Sequence, residues 1–467
     1  MNIFDMIAPN RVRFGVRKPG RTYARDLRLS IGDQIIPYDI ESQHFLLAGA
    51  TGSGKTVALD GITDVLNVRP KDRLVVLDAD GSQLTKIGRP GDAVANIFDA
   101  RAVAWGGLTV EIENETDPAR IAKGTIPVNP NSSAEEWDGY SRTLLEAALV
   151  AMPHASPQQL YKLLFMEDFS SLAKLAASTP ASRIFEPGNG KMARSVVGVL
   201  SSRLAWLRYL RDPPAGKKPF SFTRWAREAP PGSRLFLTYL VDQMDALLPM
   251  YSLAISLLSS SLLSQPPLPF PITAASYRRT WIIMDEWGLM GRISGMRELL
   301  SNGRRFGVAN ICCTQDIESI LYAYGQHVTG SLLNGLGTQL IMSMNAGASA
   351  EYFSQLLGDH QVRRTLSGSS QGLSGGKKSI NNSTSEQVTI ERLVLPGEIK
   401  NHKNRTGFLY VKEDPILHEV TLPVVKWRMD GQPAFIPRPA APLPPSSIAQ
   451  KDEGDDGRPS RPPIDLE

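Results

Sequence analysis

Eight consecutive residues, Gly49-Ala50-Thr51-Gly52-Ser53-Gly54-Lys55-Thr56, fit the pattern G-x-x-x-x-G-K-[ST] without a gap. Each residue type in it suits phosphate chemistry. The glycines let backbone N–H groups turn inward around phosphate oxygens. A helix opening near Lys55 would add the positive end of its dipole. Lys55 carries a point charge for the β- and γ-phosphates, and the Thr56 hydroxyl is a ligand for Mg²⁺. ATP and Mg²⁺ are therefore the expected cofactors.

A second constellation lies far downstream. The apolar run Trp281–Met284 ends in Asp285-Glu286. Asp285 would hold the metal, usually through water. Glu286 would polarise the attacking water as a general base. Alone, such a pair is as readily a solvated strand end. Downstream of a complete P-loop it points to hydrolysis and away from a GTPase switch. The next apolar run ends in Thr314-Gln315. An amide there can bond both a γ-phosphate and the attacking water, with a plain strand-end cap as the alternative. Arg304-Arg305 lies between these runs. A guanidinium in that place could reach a neighbouring subunit's γ-phosphate as an arginine finger, or simply solvate a helix end. The catalytic set expected from the sequence is thus Lys55, Glu286, Arg304 and Gln315.

These groups need strands to carry them. His44–Ala48 (HFLLA) reads as the core strand before the P-loop, with a helix from Lys55 to about Leu66 behind it. Arg73–Leu77 is a near-continuous apolar run ending in Asp78, as in a buried parallel strand. Strand, turn, helix and strand make a βαβ unit, and hence a parallel sheet with helices on both faces. Arg234–Leu240, Thr280–Met284, Val308–Thr314 and Gln339–Met344 continue the strands, and Gly291–Phe306 reads as a helix. Between Trp137 and Trp206 only helical periodicity is present, which predicts an all-α insertion of three to five helices. The fold class is α/β. Its expected division is a basic arm with short strands (1–40), a motor domain (41–136 and 215–430), an all-α domain (137–214) and a Pro-rich tail (431–467).

Composition narrows the class. The 467 residues are 21% charged and 42% apolar with a net charge of +4, so any basic surface must be local. Cys312 and Cys313 sit in an apolar run and read as reduced, packed thiols of a cytoplasmic protein. The six histidines lack metal-ligand spacing, and no zinc site is expected. Ala246–Ser264 is uncharged over nearly a membrane span, but Pro249 and six serines favour a buried core helix, so no transmembrane segment is expected. Arg364–Ser385, rich in Ser, Gly and Asn, reads as a mobile loop. The tail ends with Asp452, Glu453, Asp455, Asp456, Asp465 and Glu467 and is expected to be disordered.

The order of motifs resembles the TraD/TrwB branch of conjugative coupling proteins, within the FtsK/HerA group of P-loop motors. The resemblance spans roughly Leu27 to Lys412. It rests on HFLLAGATGSGKT, on VVLDADGS with Asp78, on IFDARAVAW with Asp99, Arg101 and Trp105, on FSFTRWARE, and on WIIMDE, NGRRFGV, TQD and LYAYG. It implies a RecA-like nucleotide-binding domain with an inserted all-α domain. It further implies a homo-oligomeric ring, usually a hexamer, with ATP sites between subunits. Arg304 matches the family's trans-acting arginine and Gln315 its sensor. Such rings translocate DNA toward a type IV secretion channel and recruit the relaxase–DNA complex. Members usually carry an N-terminal pair of transmembrane helices. Here the motor motifs begin almost at Met1, which leaves membrane association open: a cytoplasmic protein, or one held peripherally at the inner membrane. The basic run Arg11–Arg28 suits anionic lipid or DNA as well as a solvated arm. DNA contacts are expected to be to phosphates and independent of base sequence. Two other readings fit the same residues: a related ring ATPase moving DNA or protein for another task, and an ATP-switched docking receptor for secretion substrates.

Overall fold

The computed structural model of the chain describes residues 27–130, 132–268, 279–345, 347–374, 377–427 and 432–439. A short antiparallel pair, β1 (Ser30–Ile31) and β2 (Gln34–Ile35), precedes the core. The first βαβ unit follows: β3 (Phe45–Ala48), α1 (Lys55–Val68) and β4 (Arg73–Ala79). Next come α2 (Ser82–Ile87), β5 (Ala93–Val94) and α3 (Asp117–Thr125). The all-α domain supplies α4 (Glu135–Ala151), α5 (Pro157–Phe165), α6 (Phe169–Ala176) and α7 (Gly190–Arg203). The α/β pattern then resumes with α8 (Phe222–Glu228), β6 (Arg234–Tyr239), α9 (Met244–Leu263), β7 (Thr280–Met284), α10 (Met296–Asn302), β8 (Val308–Thr314), α11 (Glu318–Tyr324), α12 (Gln326–Asn334), β9 (Thr338–Met342) and α13 (Gly347–Leu357). The chain closes with β10 (Asp359–Ser374), β11 (Lys377–Arg392), α14 (Pro396–Lys400), β12 (Thr406–Val411) and β13 (His418–Thr421).

Nine strands form one sheet in the order β13-β12-β9-β3-β8-β7-β4-β6-β5. From β9 to β5 all neighbours run parallel, whereas β12 and β13 add an antiparallel edge. Side chains alternate between two cores. Phe45, Leu47, Val76, Ile283 and Cys313 pack with α1 residues such as Leu59 and Ile62. Leu46, Val75, Ile282 and Cys312 face the other way, into a core shared with α9 and the all-α helices. Both faces are covered, which is why the strands read as unbroken apolar runs. This is a RecA-like nucleotide-binding domain with an inserted all-α domain.

α9 is long and apolar enough to cross a membrane, yet 72% of its apolar window is buried within the fold. Its face from Leu247 to Leu262 fills the second core. Cys312 and Cys313 are free and buried.

Two expectations are corrected. The segment read as a mobile loop pairs from end to end as the β10–β11 hairpin, in register from Asp359↔Arg392 to Ser374↔Lys377. A strand ladder is built by backbone N–H and C=O groups, which a Ser- and Gly-rich composition does not reveal. The tail is not structureless from its start: Gln432–Pro439 lies along the motor as a strap. Ile436 accepts the Ala100 N–H at 2.8 Å, Arg438 N–H donates to Phe98 O at 2.9 Å, and Pro437 bridges Asp99. The rest of the tail and the basic run Arg11–Arg25 lie outside the described residues.

Candidate nucleotide site

The P-loop leaves β3 at Ala48 and enters α1 at Lys55. Gly54 caps that helix at φ 108°, which residues with a Cβ resist. At Gly49 the reason is steric, since a Cβ there would stand 2.4 Å from Ser53 Oγ. The loop is pinned to its neighbouring strands: Gly49 N–H donates to Thr314 O at 3.1 Å and Ala50 N–H to Ser343 O at 2.8 Å.

β8 lies between β3 and β7, so the acids after β7 and the amide after β8 emerge beside the P-loop. Lys55 Nζ stands 2.7 Å from Glu286 Oε2. The Gln315 backbone N–H donates to Glu286 Oε1 at 3.3 Å, and Thr51 Oγ1 donates to Gln315 Oε1 at 2.8 Å. P-loop, general-base candidate and sensor candidate are thus joined in one hydrogen-bonded circuit. Burial raises the Asp285 carboxyl above its usual range, partly offset by Lys55. Thr51, Lys55, Thr56, Asp285, Glu286 and Gln315 line one cavity of about 480 Å³.

Arg304 is not in that cavity. It sits exposed in a single 3₁₀ turn, Gly303–Phe306, before the first residue of β8, whereas Gln315 follows the last. Seven strand residues separate the two, roughly 20 Å at about 3.3 Å each. Arg304 therefore lies at the end of the strands opposite its own P-loop.

Sequence reasoning missed Arg405 and Asn404, which also line the cavity. Arg405 has φ 60° and its N–H donates to Ser53 O at 2.8 Å. It lies on a loop far down the chain, in no phosphate motif, and only the return of β12 to the sheet brings it to the P-loop.

Asp78, Asp99, Arg101 and Trp105 have architectural surroundings. Asp78 caps α2, accepting the Gln83 N–H at 2.9 Å and the Leu84 N–H at 2.7 Å. Full burial drives its carboxyl up to about 7 against those two donors. Burial would also raise Asp99, but hydrogen bonds from Arg101 and the Ile436 N–H bring it below the usual range. The Arg101 guanidinium grips it at 2.9 and 2.7 Å. Trp105 Nε1–H donates to Glu111 at 2.8 Å, and the buried Glu111 also accepts from Ser221 Oγ at 2.8 Å and from the N–H groups of Phe222 at 2.8 Å and Thr223 at 2.9 Å. The segments around Trp105 and Phe222 are therefore one joint.

The profile of the type IV secretion-system coupling protein DNA-binding domain matches residues 28–423. The chain belongs to this family. The coupling protein TraD of Escherichia coli (strain K12) is 25% identical over 443 residues, which is 92% of this chain and 59% of TraD. The chain thus spans well under two thirds of that relative. Among solved structures, the bacterial conjugative coupling protein TrwB, in its unbound monoclinic form, superposes with a TM-score of 0.75 at 27% identity, covering 89% of this chain and 93% of that one. TrwB bound to a non-hydrolysable ATP analogue superposes at 0.76 and 26% identity over 91% and 99% of the two chains. VirB4 of Thermoanaerobacter pseudethanolicus, at 11% identity and a TM-score of 0.50, shares the fold alone.

Proposed function

We propose that this chain is an ATP-driven DNA-translocating motor that couples a relaxase–DNA substrate to a type IV secretion channel in conjugative transfer. The observation that carries the reading is the circuit Lys55–Glu286–Gln315–Thr51 around one cavity at the strand tips. A cation, a carboxylate and a polar amide in mutual contact support a reading in which a γ-phosphate and its attacking water meet beside them. TrwB has been seen with ADP and Mg²⁺, and with analogues of ATP and GTP, which supports the same ligands here. The donors fit Mg²⁺. A hydroxyl and a carboxylate, Thr56 and Asp285, are the hard oxygen ligands that it takes. A cation would also offset the burial that raises Asp285. When bound, Mg²⁺ would neutralise charge on the β- and γ-oxygens. Glu286 would then take the proton of the attacking water, and Gln315 would orient that water.

In this reading the motor comprises 41–136 and 215–430, the all-α domain 137–214. The working form is a ring, hexameric by analogy with the family, on the cytoplasmic side of the inner membrane. The deciding experiment measures ATP hydrolysis by the purified chain with and without single- and double-stranded DNA. Stimulation by DNA that weakens steeply with added salt is expected of a phosphate-contacting motor. Hydrolysis indifferent to both DNA forms would reject DNA translocation and favour a ring ATPase with another cargo.

A further inference from the structure

We propose that Arg405 is a clamp acting within its own subunit on the α/β-phosphate end of the bound nucleotide, and this rests on the nucleotide-site reading above. The residues lining the cavity fall into two groups by their contacts. Thr51, Gln315 and Glu286 form one, where Lys55 points and the γ-phosphate is attacked. Arg405 belongs to the other, packed against Ser53 and Gly54 of the P-loop, whose backbone cradles the α- and β-phosphates in this motif. A Cβ on Gly54 would come within 2.9 Å of Arg405 Cα, so the two backbones are in direct contact.

Three features separate this from an arginine that merely solvates a loop. First, the position is held on both sides: Arg405 N–H donates to Ser53 O at 2.8 Å, and Arg405 O accepts the Leu422 N–H at 2.8 Å. Second, it is held at φ 60°, where a non-glycine residue is strained, and such strain gathers at ligand clamps. Third, among the described residues its guanidinium makes no ion pair and no side-chain hydrogen bond, whereas the cavity's lysine is held by Glu286. A planar guanidinium can bond two phosphate oxygens at once. Asn404, its neighbour in the chain, lines the same cavity. The clamp acts on the diphosphate, and so does not depend on which base follows it.

The test replaces Arg405 without disturbing the backbone. Arg405→Gly keeps the left-handed conformation, and Arg405→Lys keeps the charge without the fork. Affinity for fluorescent N-methylanthraniloyl-ADP, KM and kcat for ATP, and the melting temperature without nucleotide are measured for each. Arg405→Gly should weaken ADP binding and raise KM by similar factors, roughly 10- to 100-fold, the scale of a charge-assisted pair. At saturating ATP its kcat should persist, because the contact is equal in ground and transition states. Arg405→Lys should recover part of the loss, and the melting temperature should not move. Unchanged ADP affinity in Arg405→Gly, or a fall in kcat at constant KM, overturns the proposal. Lys55→Ala, measured alongside, keeps the two readings apart. If Lys55→Ala binds ADP like the unaltered chain, the nucleotide site itself is misplaced. If it loses binding while Arg405→Gly does not, only the clamp fails.

Discussion

Glu286 answers to two neighbours at once, the Lys55 ammonium and the Gln315 N–H, and that shapes what its removal should do. Glu286→Gln keeps a hydrogen-bond acceptor and leaves Asp285 intact. It should bind ATP normally and turn it over roughly 10²–10⁴-fold more slowly. Unchanged turnover in a rapid-quench assay would assign the base elsewhere. Lys55→Ala should abolish nucleotide-dependent activity in a protein with an unaltered circular-dichroism spectrum. His44 offers a different kind of test. It is fully buried at φ 65°, accepts the Asn310 N–H on Nδ1 at 3.1 Å, and burial lowers its pKa from 6.5 to about 4. The folded state thus holds its imidazole neutral at pH values where the unfolded chain binds a proton. That contribution is complete above pH 6.5 and is lost as pH falls from 6.5 to 4, by on the order of 3 kcal/mol. Since Asp78 titrates in the opposite sense over part of this range, the comparison is with His44→Asn, which tolerates the same backbone. The stability gap between the two proteins should narrow on acidification, as read from urea unfolding at pH 7 and pH 5. A gap independent of pH would mean that His44 stays neutral in neither state or in both. Lys55 and Thr56 were legible in the sequence through the P-loop pattern, and Asp285, Glu286 and Gln315 because they follow apolar runs. Arg405 was not, because its place depends on the tertiary return of β12.

At the scale of elements, the strands with continuous apolar runs were legible almost to the residue: Thr280–Met284 and Val308–Thr314 are β7 and β8 as read. Where the signal was composition rather than periodicity, it misled. Ser- and Gly-rich β10 and β11 pair through their backbones. The Pro-rich start of the tail uses carbonyls and N–H groups rather than a core: Arg101 donates to Pro433 O at 2.8 Å, and Ile436 N–H donates to Asp99 at 3.1 Å. Ala434 O also lies within 2.5 Å of where a Gly81 Cβ would stand, so the strap touches the turn beside pocket-lining Asp80. Two truncations separate strap from tail. Ending the chain after Pro439 should leave the melting temperature unchanged. Ending it before Gln432 should cost about 1–3 kcal/mol, because buried Asp99 and the Ala100 N–H lose partners. Equal melting temperatures in differential scanning calorimetry would show that the strap contributes nothing to stability.

For the molecule as a whole, the position of Arg304 makes the strongest demand. It lies at the end of the strands away from its own P-loop, about 20 Å from Gln315, too far to serve the site of its own chain. It is exposed, so it faces either solvent or a neighbour. The charge that builds on a γ-phosphate as it leaves calls for more than Lys55 and a metal supply, and an arginine finger contributes roughly 10³–10⁵ in rate in well-studied systems. If Arg304 completes the next subunit's site, specific activity should rise with protein concentration, and DNA should favour assembly by giving the ring a shared polyanion. Arg304→Ala and Glu286→Gln should each be nearly inactive alone. Mixed together, they form some interfaces that pair an intact Glu286 site with an Arg304 donated from next door, and part of the activity should return. Arg405→Gly mixed with Arg304→Ala gives the control: the KM defect should persist at every site whose own chain lacks Arg405. Co-assembly is verified by sedimentation of differently tagged chains. If the Arg304→Ala and Glu286→Gln chains co-sediment and no activity returns, Arg304 is a solvated turn and the added charge comes from elsewhere.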